Sequence, residues 1–305
     1  MRTSFLSQQT SRIRDCSTIS IGRLALKAMN LSFSGRVSSR FHRSLYLELE
    51  EGYCCLVSGH LSAGPINVVT TSIDQFDIIM PDTDVFFVDE EVLIGDQLRL
   101  NTGGTPVWKP KSVNWSETTL AQGLHNLDML CFGRNPDQGL SGLVWPSAFS
   151  TKLSPELEKA KPVFNSLIDW LRQGMIPKSS CLPPKEILNL LGLGPGLTPS
   201  GDDFLVGFLV ALSILDRQDL MAGICEIIQP LISELTGPIS GLHILAAKDG
   251  EASEVLHQAL NSILVGGYDE ISECLNAVSL VGHTSGWDAL AGAITVLRES
   301  ALVKP

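Results

Sequence analysis

Residues Gly192 to Phe204 read Gly-Leu-Gly-Pro-Gly-Leu-Thr-Pro-Ser-Gly-Asp-Asp-Phe, a turn-rich segment that runs straight into an apolar stretch (Leu205, Val206, Phe208, Leu209, Val210, Leu212). Glycines at this density allow positive φ and leave backbone amides uncovered. Pro199-Ser-Gly-Asp202 is a helix entry, with Ser200 as candidate N-cap and carboxylates in the first turn. A loop of this kind leading into a helix N-terminus suits a small anion.

The pattern returns near the C-terminus. Ser200-Gly-Asp-Asp203-Phe-Leu205-Val-Gly207 aligns with Ser285-Gly-Trp-Asp288-Ala-Leu290-Ala-Gly292, and Thr198 and Thr284 stand just upstream of each copy. Two copies predict a pseudo-symmetric pair of helix starts facing one site, or else two well-capped buried helices whose Gly207 and Gly292 permit close packing. Consecutive residues on a helix point about 100° apart, so Asp202 and Asp203 cannot share a face. Asp203, the counterpart of Asp288, is expected to point inward and Asp202 to be a solvated capping residue. An inward aspartate could handle a proton, hold the loop or bind a metal. Compensation of the helix dipole is the plainer role. The candidate catalytic residues are therefore Asp203, Asp288 and His283. The candidate ligand-binding residues are Gly194, Gly196, Thr198, Ser200, Gly201, Thr284, Ser285 and Gly286, with Ser240 from the small-polar cluster Thr236-Gly-Pro-Ile-Ser240.

Several chemistries lack their signatures. No GxSxG elbow, HExxH, EF-hand loop or Walker lysine occurs. No metal site or cofactor is predicted; Mg2+ is conceivable at the aspartates but no motif supports it. A net charge of −11 argues against nucleic acid or an anionic membrane as partner. No apolar run reaches the roughly 18 residues of a membrane span. The polar start, Met1 to Asp15, has no secretory h-region. Seven cysteines without paired spacing read as reduced thiols, so the expected compartment is the cytoplasm.

Along the chain, Ile19 to Leu31 reads as a short helix opened by Ser20, so 1–34 is an N-terminal segment. From Gly35 the period changes to two, as in Ser44-Leu-Tyr-Leu-Glu-Leu49. Closely spaced strands predict an antiparallel sheet or small barrel over about 35–110. Residues 101–152 form a loop-rich connection with a helix near 118–130. After a linker at 177–184 and a short helix at 185–191, helices are expected near 202–215, 218–235, 238–248, 252–264, 268–277 and 286–300. The expected class is α+β: an N-terminal antiparallel β-rich domain (35–152) followed by a mainly helical domain (153–305).

The motifs Gly194-Pro-Gly-Leu-Thr-Pro-Ser-Gly-Asp-Asp203 and Gly282-His-Thr-Ser-Gly-Trp-Asp288, with Thr236, Ser240, Leu245-Ala-Ala247 and Gly250 between them, resemble the AllH-like family. More loosely the likeness reaches Arg36 to Phe41 and Gly64-Pro65. The resemblance implies a subunit of oxamate carbamoyltransferase in anaerobic allantoin and purine breakdown. It also implies partner subunits and carbamoyl transfer between oxamate and carbamoyl phosphate, both small anions. The chain lacks the Ser-Thr-Arg-Thr phosphate motif of better-known carbamoyltransferases, so an arginine for phosphate would come from a partner. Two other readings remain open: a non-catalytic assembly or regulatory subunit, and a stand-alone metal-assisted hydrolase using Asp203 and Asp288.

Overall fold

Alternating strands and all-round apolar helices segregate along this chain. The computed structural model describes residues 13–59, 61–71, 76–146, 154–176 and 181–302. It divides into two compact units, Met1–Trp108 and Lys109–Pro305. The reading of a polar leader falls largely on residues 1–12, and part of the 177–184 linker on 177–180; both lie outside the described residues.

The first unit is a closed barrel, one of the two arrangements expected for this part of the chain, but it is not antiparallel throughout. Its strands are β1 (Arg14–Ile21), β2 (Ser34–Arg40), β3 (Ser44–Leu49), β4 (Gly52–Ser58), β5 (Asn67–Thr70), β6 (Asp84–Val88), β7 (Glu91–Ile94) and β8 (Leu98–Asn101). They close in the order β1-β5-β4-β3-β2-β6-β7-β8. Two neighbouring pairs, β1 with β8 and β4 with β5, run parallel. Alternation decides which side chains fill the interior. Leu45, Leu47 and Leu49 are buried while Ser44, Tyr46 and Glu48 are half-buried, and Val92, Ile94, Leu98 and Leu100 continue that core.

The closing strand β1 includes Ile19–Ile21, which the sequence reading assigned to a helix. Helix α1 (Arg23–Leu31) starts only after Gly22. A Cβ at Gly22 would stand 2.1 Å from the Gly64 carbonyl oxygen. The Gly22 amide donates to the Asn67 carbonyl at 2.7 Å, and Leu24 to that of Pro65 at 2.9 Å. This close crossing fixes where strand ends and helix begins.

The second unit contains α2 (Glu117–Cys131), α3 (Pro155–Gly174), α4 (Ser200–Ile214), α5 (Gln218–Ile228), α6 (Ile232–Leu235), α7 (Pro238–Lys248), α8 (Glu254–Val265), α9 (Tyr268–Val278) and α10 (Ser285–Leu302). The segment 185–190 is a 3-10 helix. Residues 109–146, read as the tail of the β-rich part, fall with the helices. The expected 218–235 helix is interrupted at Gln229–Leu231, where Pro230 withholds an amide.

Helices α4 and α10 form the centre. Every residue from Ser200 to Leu212 and from Gly286 to Leu297 is buried. A helix apolar on all sides must be enclosed on all sides. The two meet backbone to backbone in a reciprocal way. A Cβ at Gly207 would lie 1.7 Å from the Ala289 carbonyl oxygen and 3.0 Å from the Ala293 nitrogen. One at Gly292 would lie 1.9 Å from the Phe204 carbonyl oxygen and 3.0 Å from the Phe208 nitrogen. Positions 204, 207 and 208 correspond to 289, 292 and 293 in the sequence repeat, so the repeat is a local two-fold in space.

In an open helix, Gly→Ala gains up to about 1 kcal/mol. Here Gly207→Ala and Gly292→Ala are each expected to lose about 2 kcal/mol or more, because the helices must separate. Urea-unfolding midpoints check this; a neutral result at either site contradicts the close crossing.

Candidate functional site

The two glycine loops meet. Thr198 Oγ1 lies 3.1 Å from Ser285 Oγ, and Ser200 Oγ lies 3.4 Å from Thr284 Oγ1. Each threonine of one copy thus pairs with the serine of the other, as the two-fold requires. These four hydroxyls line a cleft of about 630 Å3 together with Gly196, Leu197, His283, Gln138, Gly139 and the start of α3 (Ser154, Pro155, Glu156). The N-termini of α3, α4 and α10 therefore border one space, each carrying roughly half a positive charge. No lysine or arginine is among the described residues lining it.

The helix entry differs from the expected one. Pro199 is the N-cap of α4, and its carbonyl accepts from the amides of Asp202 and Asp203 at 2.9 and 3.0 Å. Ser200 is the first helical residue, and its hydroxyl is turned across to Thr284 instead of capping. The Gly201 amide donates to the Leu193 carbonyl at 2.9 Å, and the Gly286 amide to that of Val281 at 3.2 Å. Both amides are thus occupied inside the loops. A Cβ at Gly201 would fall 2.0 Å from the Leu190 carbonyl oxygen, and one at Gly286 2.3 Å from that of Val278. These glycines let each loop fold back on its own helix. Gly194, with φ 116°, turns the first loop and lies outside the cleft lining. His283 is exposed on the rim.

Three aspartates are buried. Asp202, expected in solvent, is 1 % exposed. Its Oδ1 accepts from the Gly192 amide at 2.9 Å, and its Oδ2 accepts from Ser240 Oγ at 2.7 Å and from the Thr236 hydroxyl. The first turn of α4 packs against the start of α7, so the outward side of one helix is the inward side of the pair. Burial raises the Asp202 carboxyl above its ordinary range, opposed by Thr236, Gly192 and Ser240. Ser240 lies outside the cleft lining; with Thr236 and Asp202 it ties the Gly192 loop to α7.

Asp203 is 9 % exposed and Asp288 fully buried, and neither lines the cleft. They lie beneath the hydroxyls, Asp203 beside Ser285 and Thr198, Asp288 beside Thr284 and Ser200. Each Oδ2 is buried without a hydrogen-bond partner. Burial pushes Asp203 well above the ordinary carboxylate range, and the neighbouring Asp288 adds to it. Burial raises Asp288 to about 6, held back first by the Leu140 amide. That amide donates to Asp288 Oδ1 at 2.6 Å.

The Leu140 loop is a part of the site that sequence reading missed. Gly139 has φ 78°, and a Cβ there would meet the Asp288 carboxylate at 2.5 Å. Gly139-Leu-Ser-Gly142 carried a signal in its paired glycines, but nothing in sequence tied it to residue 288. Ser154 caps α3, its hydroxyl accepting from the Leu157 amide, and nothing in sequence marked Ser154-Pro-Glu156 as a wall of the cleft. Trp287, next to Asp288, meets Trp145 edge to face at 5.9 Å, which braces the same loop from behind.

The family model described as oxamate carbamoyltransferase subunit AllH matches residues 190–297, so the resemblance read from the two loops holds over the segment containing them. Neither the curated proteins nor the solved structures give a match. No described helix is long and apolar enough to cross a membrane, and all seven cysteines are free.

The raised carboxyls have a signed consequence. Below about pH 4 both folded and unfolded chains hold these protons. Between there and pH 6 the unfolded chain releases the Asp288 proton while the folded chain keeps it, so stability falls as pH rises. For Asp288 the loss is on the order of 3 kcal/mol, complete above its folded value. Asp288→Asn is expected to flatten that part of the stability–pH curve. Thermal melts from pH 4 to 8 check it; an unchanged slope contradicts it.

Proposed function

We propose that this chain is a subunit of an oxamate carbamoyltransferase-like assembly and that its cleft holds a small anionic ligand at the paired helix starts. The observation that carries the reading is the cross-pairing of Thr198, Ser200, Thr284 and Ser285 at the mouth of one cleft, within the segment that matches the AllH family. Three helix N-termini supply partial positive charge there, and backbone dipoles hold a small anion without needing a lysine. The proposed setting is anaerobic allantoin and purine breakdown, in the cytoplasm, with partner protein subunits completing the assembly.

In carbamoyl transfer the amide nitrogen of oxamate attacks the carbamoyl carbon, the new C–N bond forms and the C–O bond to phosphate breaks. The nitrogen must give up a proton. Ser200 and Thr284 touch both the cleft and Asp288, so they offer that proton a route to a carboxylate titrating at about 6, close to neutral as a base should be. His283, on the rim, is placed to hydrogen-bond the ligand. The Gly196 loop is placed to approach it closely.

A second reading, a supporting rather than catalytic subunit, is favoured by the burial of both aspartates beneath the lining. The metal-assisted hydrolase reading has little to rest on, since no group of three metal-ligating His, Cys, Asp or Glu occurs among the described residues.

Calorimetric titration of the purified chain with carbamoyl phosphate and oxamate tests the proposal. Binding is expected, and Ser200→Ala/Ser285→Ala should weaken it about tenfold or more, the loss of one or two ligand hydrogen bonds. Binding that the double variant leaves intact would place the ligand elsewhere. Turnover in the reconstituted assembly that survives Asp288→Asn would favour the supporting-subunit reading.

A further inference from the structure

A second cavity, of about 590 Å3, opens on the helical unit at the end of α2 and is large enough for a small molecule. One of its walls is flat and stiff. Arg298 lies over the Trp145 ring, with the guanidinium carbon 5.6 Å from the ring centroid. Asp128 Oδ1 accepts from Trp145 Nε1 at 3.1 Å and also from the Arg298 guanidinium. The adjoining main-chain carbonyls are held as well, that of Val144 by Arg298 at 3.2 Å and that of Trp145 by Asn135 at 3.0 Å. Asp128 neutralises Arg298 where it stands, so this wall offers a stacked planar surface without net charge.

Two further lining residues are not committed in this way. Phe132 is 76 % exposed, although burying a ring of that size is worth about 1.5–3 kcal/mol. Asp137 is exposed and makes no hydrogen bond or ion pair among the described residues. A carboxylate close to an open ring and a flat Trp–Arg wall fits a planar aromatic molecule with a positive or N–H-bearing edge. The ring has surfaces to stack on, and its edge has a charge to donate to. A ring of the same shape with an anionic edge would meet Asp137 as a like charge.

The segment from Gln138 to Pro146 borders both spaces. Gln138 and Gly139 line the cleft, while Val144, Trp145 and Pro146 line the second cavity. Between them lies one tight turn, in which the Leu143 amide donates to the Leu140 carbonyl at 3.0 Å and the Trp145 amide to that of Ser141 at 2.9 Å. At one end of the turn the Leu140 amide grips Asp288, and at the other Trp145 meets Trp287. We propose that the second cavity is an effector site for a planar aromatic ligand with a positively charged or N–H-bearing edge, coupled to the floor of the cleft through Trp145 and the Leu140 turn. The ring stacks on Phe132 and the Trp–Arg wall, and the edge donates to Asp137. A ligand seated there stiffens Trp145 and with it the turn that holds Asp288. This site goes beyond the function proposed above and does not depend on what the cleft holds.

Benzamidine, a planar ring with a cationic amidine edge, is the probe. Benzoate, with the same ring and an anionic edge, and guanidinium, with the edge and no ring, are its controls. Calorimetric titration of the full chain should show saturable benzamidine binding at least about tenfold tighter than either control, the worth of one charge-assisted contact or one stacked ring. Asp137→Asn and Phe132→Leu should each weaken it several-fold, and both side chains are exposed, so neither change threatens the fold. No binding, equal binding of the three probes, or binding that both variants leave intact overturns the site. Amide hydrogen exchange reads the coupling. The Leu140 amide should exchange several-fold more slowly when benzamidine saturates the chain, and benzoate at the same concentration should leave it unchanged. Benzamidine that binds without slowing Leu140 overturns the effector role. Neither readout uses oxamate or carbamoyl phosphate, so each succeeds or fails independently of the carbamoyltransferase reading.

Discussion

The backbone contact between α4 and α10 at Gly207 and Gly292 is the constraint on which the helical unit depends. With any side chain at either position the helices could not approach within carbonyl contact. That approach puts their N-termini side by side, and only then can Thr198 reach Ser285 and Ser200 reach Thr284. The same approach leaves no free side to either helix, which is why both are apolar nearly throughout. Sequence repeat, glycine position, helix burial and hydroxyl pairing are thus one arrangement seen at four levels.

Three buried carboxylates in one small region are costly to a fold, and each is handled differently. Asp202 is satisfied by an amide and two hydroxyls, and it binds a loop to a neighbouring helix. Asp288 is held by the Leu140 amide, from a segment nearly 150 residues away in sequence. Asp203 has no main-chain donor among the described residues, and burial holds it well above its ordinary range. Structural needs account for Asp202. They do not account for a pair of half-satisfied carboxylates beneath a row of hydroxyls, and perturbed acids of this kind concentrate at functional sites.

Much of the helical unit was legible because its signals are local. The helices near 118–130, 238–248, 252–264 and 286–300 follow from periodicity and caps, and the paired motifs gave the two helix starts. What depended on packing was not legible. Asp202 reads as solvated until α7 is laid against α4. The polar strand β1, with Thr18 and Ser20 in its middle, carries no clean alternation, so its part in closing the barrel shows only through pairing with β5 and β8. The Leu140 loop joins Asp288 through a backbone amide, which has no side-chain signature at all. Ser200 read as a cap because serine before acidic residues usually is one; here Pro199 supplies the cap carbonyl and the hydroxyl is spent across the two-fold.

The central claim is that the two loops are one site, coupled through their hydroxyls. A double-mutant cycle with Thr198→Val and Ser285→Ala, read by unfolding free energy, measures that coupling directly. The account predicts an interaction of about 0.5–1.5 kcal/mol, the net worth of a buried hydrogen bond. Single losses that add to within about 0.3 kcal/mol would mean that the loops are neighbours without being partners, and the site as described would not exist.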